Sequence, residues 1–274
     1  MRIKSMKLLF VDLDGTLLND QKSIPSKNLD AIQRASKKGH LTVINTGRSF
    51  SSAQPYMKQL SEIQPHCYAI LYNGGMLYDY TRQEFLYKKT LPLEYVKHIF
   101  SQAEKFGIHC QTYEGNYVLA PRDCPEVQEY QEHSQMPVRI DPLLLEHLTE
   151  EPAKVLTSNL DNPGLHEEYR RSMEAWAKGK ISMFFSNEHY LEHVPEGISK
   201  GNAILRLCDL LNVPLSHTYA AGDAENDLTM LQTAATGIAM ANGTTLIKKT
   251  ADYITKQNHN QGGIAEIIEK FIEN

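Results

Sequence analysis

Little in this chain is concentrated. Its 274 residues hold four cysteines, at 67, 110, 124 and 208. None forms a Cys-x-x-Cys pair or stands near histidine at zinc-ligand spacing, which argues against a disulfide framework and a thiolate metal site. Dispersed free thiols fit a reducing compartment. No apolar run is long enough to cross a bilayer, and the first residues lack the apolar core of a secretory signal, so a cytoplasmic protein with no membrane partner is expected. A net charge of −5 and a pI near 6.1 argue against a protein that grips nucleic acid through bulk charge. No Gly-x-Gly-x-x-Gly follows the first strand and no Gly-x-x-x-x-Gly-Lys-Ser/Thr occurs, which disfavours dinucleotide binding and a P-loop. His189 and His193 are four apart, but Tyr190, Leu191 and Val194 around them read as strand. These histidines are expected at the surface or in a cleft, without a metal.

What is present is dense where it matters. Residues 7–18 run Lys-Leu-Leu-Phe-Val-Asp-Leu-Asp-Gly-Thr-Leu-Leu. An apolar stretch of strand length ends in two aspartates two residues apart. Strand side chains alternate, so Asp12 and Asp14 are expected on one side where the strand runs out. Two neighbouring carboxylates at a buried strand end repel each other unless something offsets the charge. A divalent cation, a shared proton, or both would do so. A turn alone needs only one of the acids.

The first 83 residues alternate strand and helix, with strands at Leu8–Leu13, Leu41–Asn45 and Tyr68–Tyr72 and helices at Ser26–Lys38 and Ser49–Leu60. Pro55 is expected to interrupt or kink the second helix. Residues 76–90 read as a hairpin. An α+β stretch follows: helices at Glu94–Lys105, Pro125–Gln135 and Leu165–Ala177, and strands within 108–119, 154–159, 180–185 and 190–194. The α/β rhythm then returns, with helix Lys200–Leu211, strand Thr218–Ala221, helix Leu228–Thr233, short strands at 237–240 and 253–254, and a terminal helix Ile264–Ile272. The fold class is therefore α/β: a Rossmann-like parallel-sheet core, residues 1–83 and 190–274, with an inserted α+β cap at 84–189.

Open α/β sheets bind ligands at the carboxyl ends of their strands, so three further segments should converge on Asp12 and Asp14. Thr46-Gly47-Arg48 offers a hydroxyl and an unobstructed amide to an anionic oxygen. Lys200 opens a helix, where its charge opposes the helix dipole and calls for an anion nearby, unless it is simply an exposed lysine. Gly222-Asp223-Ala224-Glu225-Asn226-Asp227 packs three acids and an amide behind a buried strand, a donor set suited to a hard divalent cation.

In this order the four segments resemble the haloacid dehalogenase superfamily of phosphohydrolases, over the whole chain. The insertion, Asn73-Gly74-Gly75 and the 222–230 stretch resemble its Cof-type sugar-phosphate phosphatases. One departure is Asn258–Gly263, where relatives often carry acids before the glycine; it is expected to alter a loop rather than the chemistry. The resemblance implies a Mg2+-dependent phosphatase of small phosphorylated metabolites, with Asp12 as nucleophile forming an aspartyl-phosphate and Asp14 as general acid and base. Asp12, the Asp14 carbonyl and Asp223 would hold Mg2+. Thr46, Gly47, Lys200 and Asn226 would bind the phosphoryl group, and Asp227 would orient Lys200 or a metal-bound water. Phosphate would then be the anion that Lys200 calls for. Arg48 could contact substrate or form a structural ion pair. Cap residues Tyr113, Asn116, Tyr117, His189 and Tyr190 are candidates to line a substrate cleft, with hairpin packing or plain exposure an equal alternative for each. Rival readings are a phosphomutase on the same core and a non-catalytic sugar-phosphate sensor; the sensor predicts loss of an acid that is in fact present. A monomer or weak homodimer is expected.

Overall fold

The computed structural model describes residues 6–273. Among these, the chain forms two compact units. The first comprises residues up to Gly47, Gln54–Tyr87 and those from Ser199 onward; the second comprises Arg48–Ala53 and Lys88–Ile198.

The first unit is built on an eight-stranded sheet. Across it run Tyr253–Ile254, Thr236–Ala239, Thr218–Gly222, Leu8–Val11, Leu41–Asn45, Tyr68–Leu71, Met76–Asp79 and Glu84–Lys88. The first six strands pair in parallel, and Met76–Asp79 pairs antiparallel to Tyr68–Leu71. Leu8, Leu9, Phe10 and Val11 are all buried, which is why their strand reads as a continuous apolar run. Burying the four side chains stabilises the fold by roughly 6–12 kcal/mol in transfer terms. Helix Lys200–Leu211 turns Ala203, Ile204 and Leu207 onto the cluster that contains Leu8, Phe10 and Val43. Its start is fixed by Ser199, whose hydroxyl accepts from the Asn202 amide, and its end by Asn212 in the left-handed region.

The second unit carries a six-stranded sheet, ordered Ile181–Phe185, Tyr190–Pro195, Val155–Ser158, His109–Glu114, Tyr117–Ala120 and Val138–Ile140. All its neighbours are antiparallel except the last pair. Helices Leu93–Lys105 and Pro163–Ala177 contribute Val96, Ile99, Phe100, Tyr169 and Met173 to a core with Val155 and Leu191. A second cluster gathers Tyr113, Tyr130, Leu156 and Tyr190.

The units divide after Tyr87 and after Ile198, whereas the sequence pattern placed the divisions after 83 and 189. Hydrogen bonding explains the difference. Glu84–Lys88 is the edge strand of the first sheet, and Tyr190–Pro195 lies inside the second. A strand belongs with the ladder that satisfies its backbone. Helix Phe50–Ser61 also runs on through Pro55, which faces solvent, rather than breaking there. The short strand Val138–Ile140 and helices Leu144–His147 and Thr245–Thr250 have no counterpart in the sequence pattern.

Packing or exposure prevails at most of the cap candidates, and the placing of His193 is corrected. Tyr113 and Tyr190 are buried inside their own unit, the first donating to the Tyr130 hydroxyl at 2.7 Å and the second to Glu129. His193, expected near the surface, is fully buried against the Tyr169 hydroxyl at 3.1 Å. Asn116 and Tyr117 are exposed, and Arg139 lies over the Tyr117 ring at 4.5 Å. His189 is half-buried.

Candidate active site

Strand register assembles the site. Parallel pairing sets Val11 beside Ile44 on one flank and Ala221 on the other. The next residues are Asp12, Asn45 and Gly222, so the loops that follow leave from one end of the sheet. The Asp12 amide continues the ladder by donating to the Ala221 carbonyl at 3.1 Å. From Leu8–Val11 the chain winds outward one way through Leu41–Asn45 and the other way through Thr218–Gly222. Such a switch point opens a crevice at the carboxyl ends of the strands.

The strand itself stops at Val11, so alternation along it does not place Asp14 relative to Asp12. A tight turn does: the Leu17 amide donates to the Asp12 carbonyl at 3.1 Å and the Leu18 amide to the Leu13 carbonyl at 2.9 Å. Gly15 sits at φ +69° in that turn, and a Cβ there would lie 2.4 Å from Asp223 Oδ2. Glycine is required for both reasons.

Three charged groups interlock in the interior. Lys200 Nζ donates to Asp12 Oδ1 at 2.7 Å and to Asp227 Oδ1 at 2.6 Å, and all three residues are buried. The anions that answer the lysine at its helix start are thus the protein's own, not a phosphate alone. Asp227 Oδ2 accepts the amides of Asp223 at 2.8 Å and Ala224 at 3.1 Å. Gly222 leaves room for this carboxylate, since a Cβ there would fall 2.4 Å from Asp227 Cγ. Thr16 Oγ1 donates to Asp223 Oδ1 at 2.9 Å.

One ammonium does not neutralise this cluster. Burial pushes the Asp12 carboxyl up to about 7, and the charges of Asp227 and Asp14 push the same way against the pull of Lys200. Burial, then Asp227 and Asp12, hold Asp223 well above the usual carboxylate range. Burial opposes the Lys200 charge, but Asp12 and Asp227 outweigh it and raise its pKa. Oxygens of Asp12, Asp223 and Asp227 lie within 4.8 Å of one another. Excess negative charge on oxygen donors fits a hard divalent cation. Both Asp227 oxygens already accept hydrogen bonds, whereas Asp223 Oδ2 is turned toward Gly15. The carboxylates better suited to a metal are therefore those of Asp12 and Asp223.

The remaining residues frame this centre. Thr46 is buried; its amide donates to the Ile70 carbonyl at 2.9 Å and its carbonyl accepts the Asn73 amide at 3.0 Å. Gly47 abuts the Asn73 side chain, which a Cβ would meet at 3.0 Å. Asn226 Nδ2 donates to Asn73 Oδ1 at 3.2 Å, while Asn73 Nδ2 is buried without a hydrogen-bond partner among the described residues. Asn73 thus touches three of the residues expected to bind phosphate. The sequence named it only within the resembling stretch Asn73-Gly74-Gly75, without a role; in the structure it takes a left-handed φ of +55° ahead of Gly74. Lys22 is a residue the motifs did not single out: its Nζ lies 2.7 Å from Asp14 Oδ1. The departing loop is also tied in. His259 contacts Asp20 at 2.8 Å and Asn242, and Asn242 Nδ2 donates to the Gly15 carbonyl at 2.8 Å.

Comparisons with known proteins agree with this geometry. Residues 9–268 match the family model described as haloacid dehalogenase-like hydrolase. A Streptococcus pyogenes protein is 33% identical over 274 residues, covering 98% of this chain and all of its own. The Bacillus subtilis 5-amino-6-(5-phospho-D-ribitylamino)uracil phosphatase YitU is 28% identical over 285 residues, covering 96% of this chain and 97% of its own. The crystal structure of a haloacid dehalogenase-like hydrolase from Bacteroides thetaiotaomicron superposes with a TM-score of 0.85 at 31% identity, covering 97% and 99% of the two chains.

Proposed function

The chain belongs to the haloacid dehalogenase-like hydrolases and is a phosphatase, and from that premise we propose that it hydrolyses small phosphorylated metabolites, sugar phosphates foremost, through an aspartyl-phosphate on Asp12. The observation that carries the reading is the buried Asp12 carboxylate, held at Oδ1 by a lysine that Asp227 holds in turn. A nucleophile fixed at one oxygen presents the other in a constant direction, and carboxylates are established covalent phosphoryl acceptors.

In this reading Asp12 Oδ2 attacks phosphorus as the ester P–O bond breaks. Asp14 gives its proton to the departing oxygen. It then takes a proton from the water that opens the aspartyl-phosphate, releasing inorganic phosphate and restoring Asp12. Lys200, the Thr46 hydroxyl, the Gly47 amide and Asn226 hold the phosphoryl oxygens, where preorganised donors act most strongly. Asp227 keeps Lys200 in place. Asp12, Asp223 and the Asp14 carbonyl would hold Mg2+, which would supply the positive charge that lets one anion approach another. A sugar phosphate is favoured because the substrate named for the Bacillus relative is a phosphate on a sugar-alcohol chain. A monomer or weak homodimer working in the cytoplasm completes the proposal.

The test is Asp12→Asn. It should abolish Mg2+-dependent hydrolysis of p-nitrophenyl phosphate with an unchanged circular-dichroism spectrum; retained turnover removes Asp12 as nucleophile. A phosphate-release screen over sugar phosphates, pyridoxal phosphate, flavin mononucleotide and nucleotides then decides the substrate class.

A further inference from the structure

The acid and base assigned above, Asp14, is gripped by a residue with no place in the phosphoryl chemistry. Lys22 Nζ meets Asp14 Oδ1 at 2.7 Å, with both side chains about one-third exposed. Ion pairs that wet add little to folding, so stability does not account for this one. The loop that delivers Lys22 is nonetheless built with care. Asn19 organises it: the Asn19 amide donates to the Ser23 carbonyl at 2.9 Å, the Lys22 amide donates to the Asn19 carbonyl at 2.9 Å, and Asn19 Oδ1 accepts from both the amide and the hydroxyl of Ser23. Lys22 itself takes φ +54°, a region unfavourable to any side chain beyond Cα. Its carbonyl is pinned by the Tyr56 hydroxyl at 2.9 Å, from helix Phe50–Ser61. Helix and turn together fix where the ammonium stands.

We propose that Lys22 is a positioning residue for proton transfer: it aims the Asp14 carboxyl at the departing oxygen. The inference rests on Asp14 being the general acid and base. As the bond from Asp12 oxygen to phosphorus forms and the ester P–O bond breaks, the Asp14 proton passes to the ester oxygen, and the carboxylate left behind stays beside the ammonium. Without Lys22 the Asp14 carboxyl loses the ammonium that aims it through Oδ1, and transfers that need its proton suffer most. Substrates whose leaving group departs readily as an anion need that proton least.

Two substrates of nearly one shape separate these cases: p-nitrophenyl phosphate, with a good leaving group, and phenyl phosphate, whose phenol has a pKa near 10, like tyrosine. In Lys22→Met, kcat/KM should fall at least ten-fold further for phenyl phosphate than for p-nitrophenyl phosphate, with an unchanged thermal transition. Lys22→Arg, which keeps a cation at that place, should restore most of the difference. Asp14→Asn is run alongside. If Asp14→Asn discriminates between the substrates and Lys22→Met lowers both equally or neither, the Lys22 inference is overturned and the Asp14 assignment stands. If Asp14→Asn does not discriminate, the acid assignment falls and the Lys22 inference falls with it.

Discussion

Replacing Asp12 with asparagine should stabilise the metal-free protein while removing its activity. The Asp12 carboxyl sits near pH 7 in the fold, with burial the leading cause, whereas an aspartate in an unfolded chain titrates near 3.9. Below about pH 4 both states hold the proton and no penalty applies. As pH rises from 4, the unfolded state ionises first and the fold loses stability. The loss is complete above about pH 7. At 1.36 kcal/mol per unit, a displacement of about three units corresponds to about 4 kcal/mol. Asparagine matches aspartate in shape, keeps an oxygen for Lys200 Nζ, and carries no charge. In EDTA at pH 7.5 the variant should therefore be more stable than the parent by about 2–4 kcal/mol, allowing for a weaker bond to the ammonium. Added Mg2+ should narrow the gap by binding the parent's carboxylates in the folded state. At pH 4 the gap should close. Thermal denaturation by calorimetry, in EDTA and in Mg2+ at both pH values, reads all three. A variant that melts below the parent in EDTA at pH 7.5 would refute the electrostatic argument.

Lys200→Met should cost about 3–5 kcal/mol along with activity, because it strands Asp12 and Asp227 in the interior; an unaltered melting curve would contradict this. Gly15→Ala places a Cβ 2.4 Å from Asp223 Oδ2 at φ +69°. It should cost about 1–3 kcal/mol and raise the Mg2+ concentration needed for half-maximal activity, and an unchanged Mg2+ titration would separate Asp223 from the metal. Burial, the leading cause in both, pushes His166 down to about 4 and His193 down to about 3. Both are neutral in the fold near neutral pH, so their contribution is full above pH 6.5 and shrinks as pH falls from 6.5 to about 4 for His166 and to about 3 for His193, by about 2 kcal/mol each at pH 5. His193→Gln should flatten the pH dependence of urea unfolding of the second unit; an identical profile would remove His193 as its source.

The strands of the first unit were legible because buried parallel strands announce themselves. Leu41–Asn45 and helix Lys200–Leu211 coincide with their apolar patterns to the residue. The residues at the strand ends were legible for a different reason: acids next to a buried run are costly, and such a cost marks chemistry. The unit boundaries were not legible. Whether Tyr190–Pro195 joins one sheet or the other depends on distant partners, and alternation carries no trace of the partner. Lys22 was missed, and Asn73 was named only within a resembling stretch and given no role, because a lone lysine in a loop and an asparagine in a turn are ordinary sequence events. Only the contact with Asp14, or with Gly47 and Asn226, sets them apart. His193 and Tyr190 were misplaced for the converse reason: polar letters on a strand read as exposed, and here the second unit buries them beside hydroxyl and carboxylate partners.

The central position of Leu8–Val11 also has a bearing on biosynthesis. Its two sheet neighbours are Leu41–Asn45 and Thr218–Gly222. The first emerges from a ribosome almost at once; the second follows about two hundred residues later, roughly 10–40 s at ordinary elongation rates. During that interval one edge of the strand has no ladder to join, and Asp12, which follows it, has neither Lys200 nor Asp223 beside it. Lys88–Ile198 is a continuous segment with its own core, so it can complete its sheet while the first unit waits. A nascent chain thus exposes an unpaired apolar edge, which makes the growing first unit, rather than the finished enzyme, the form most in need of a chaperone.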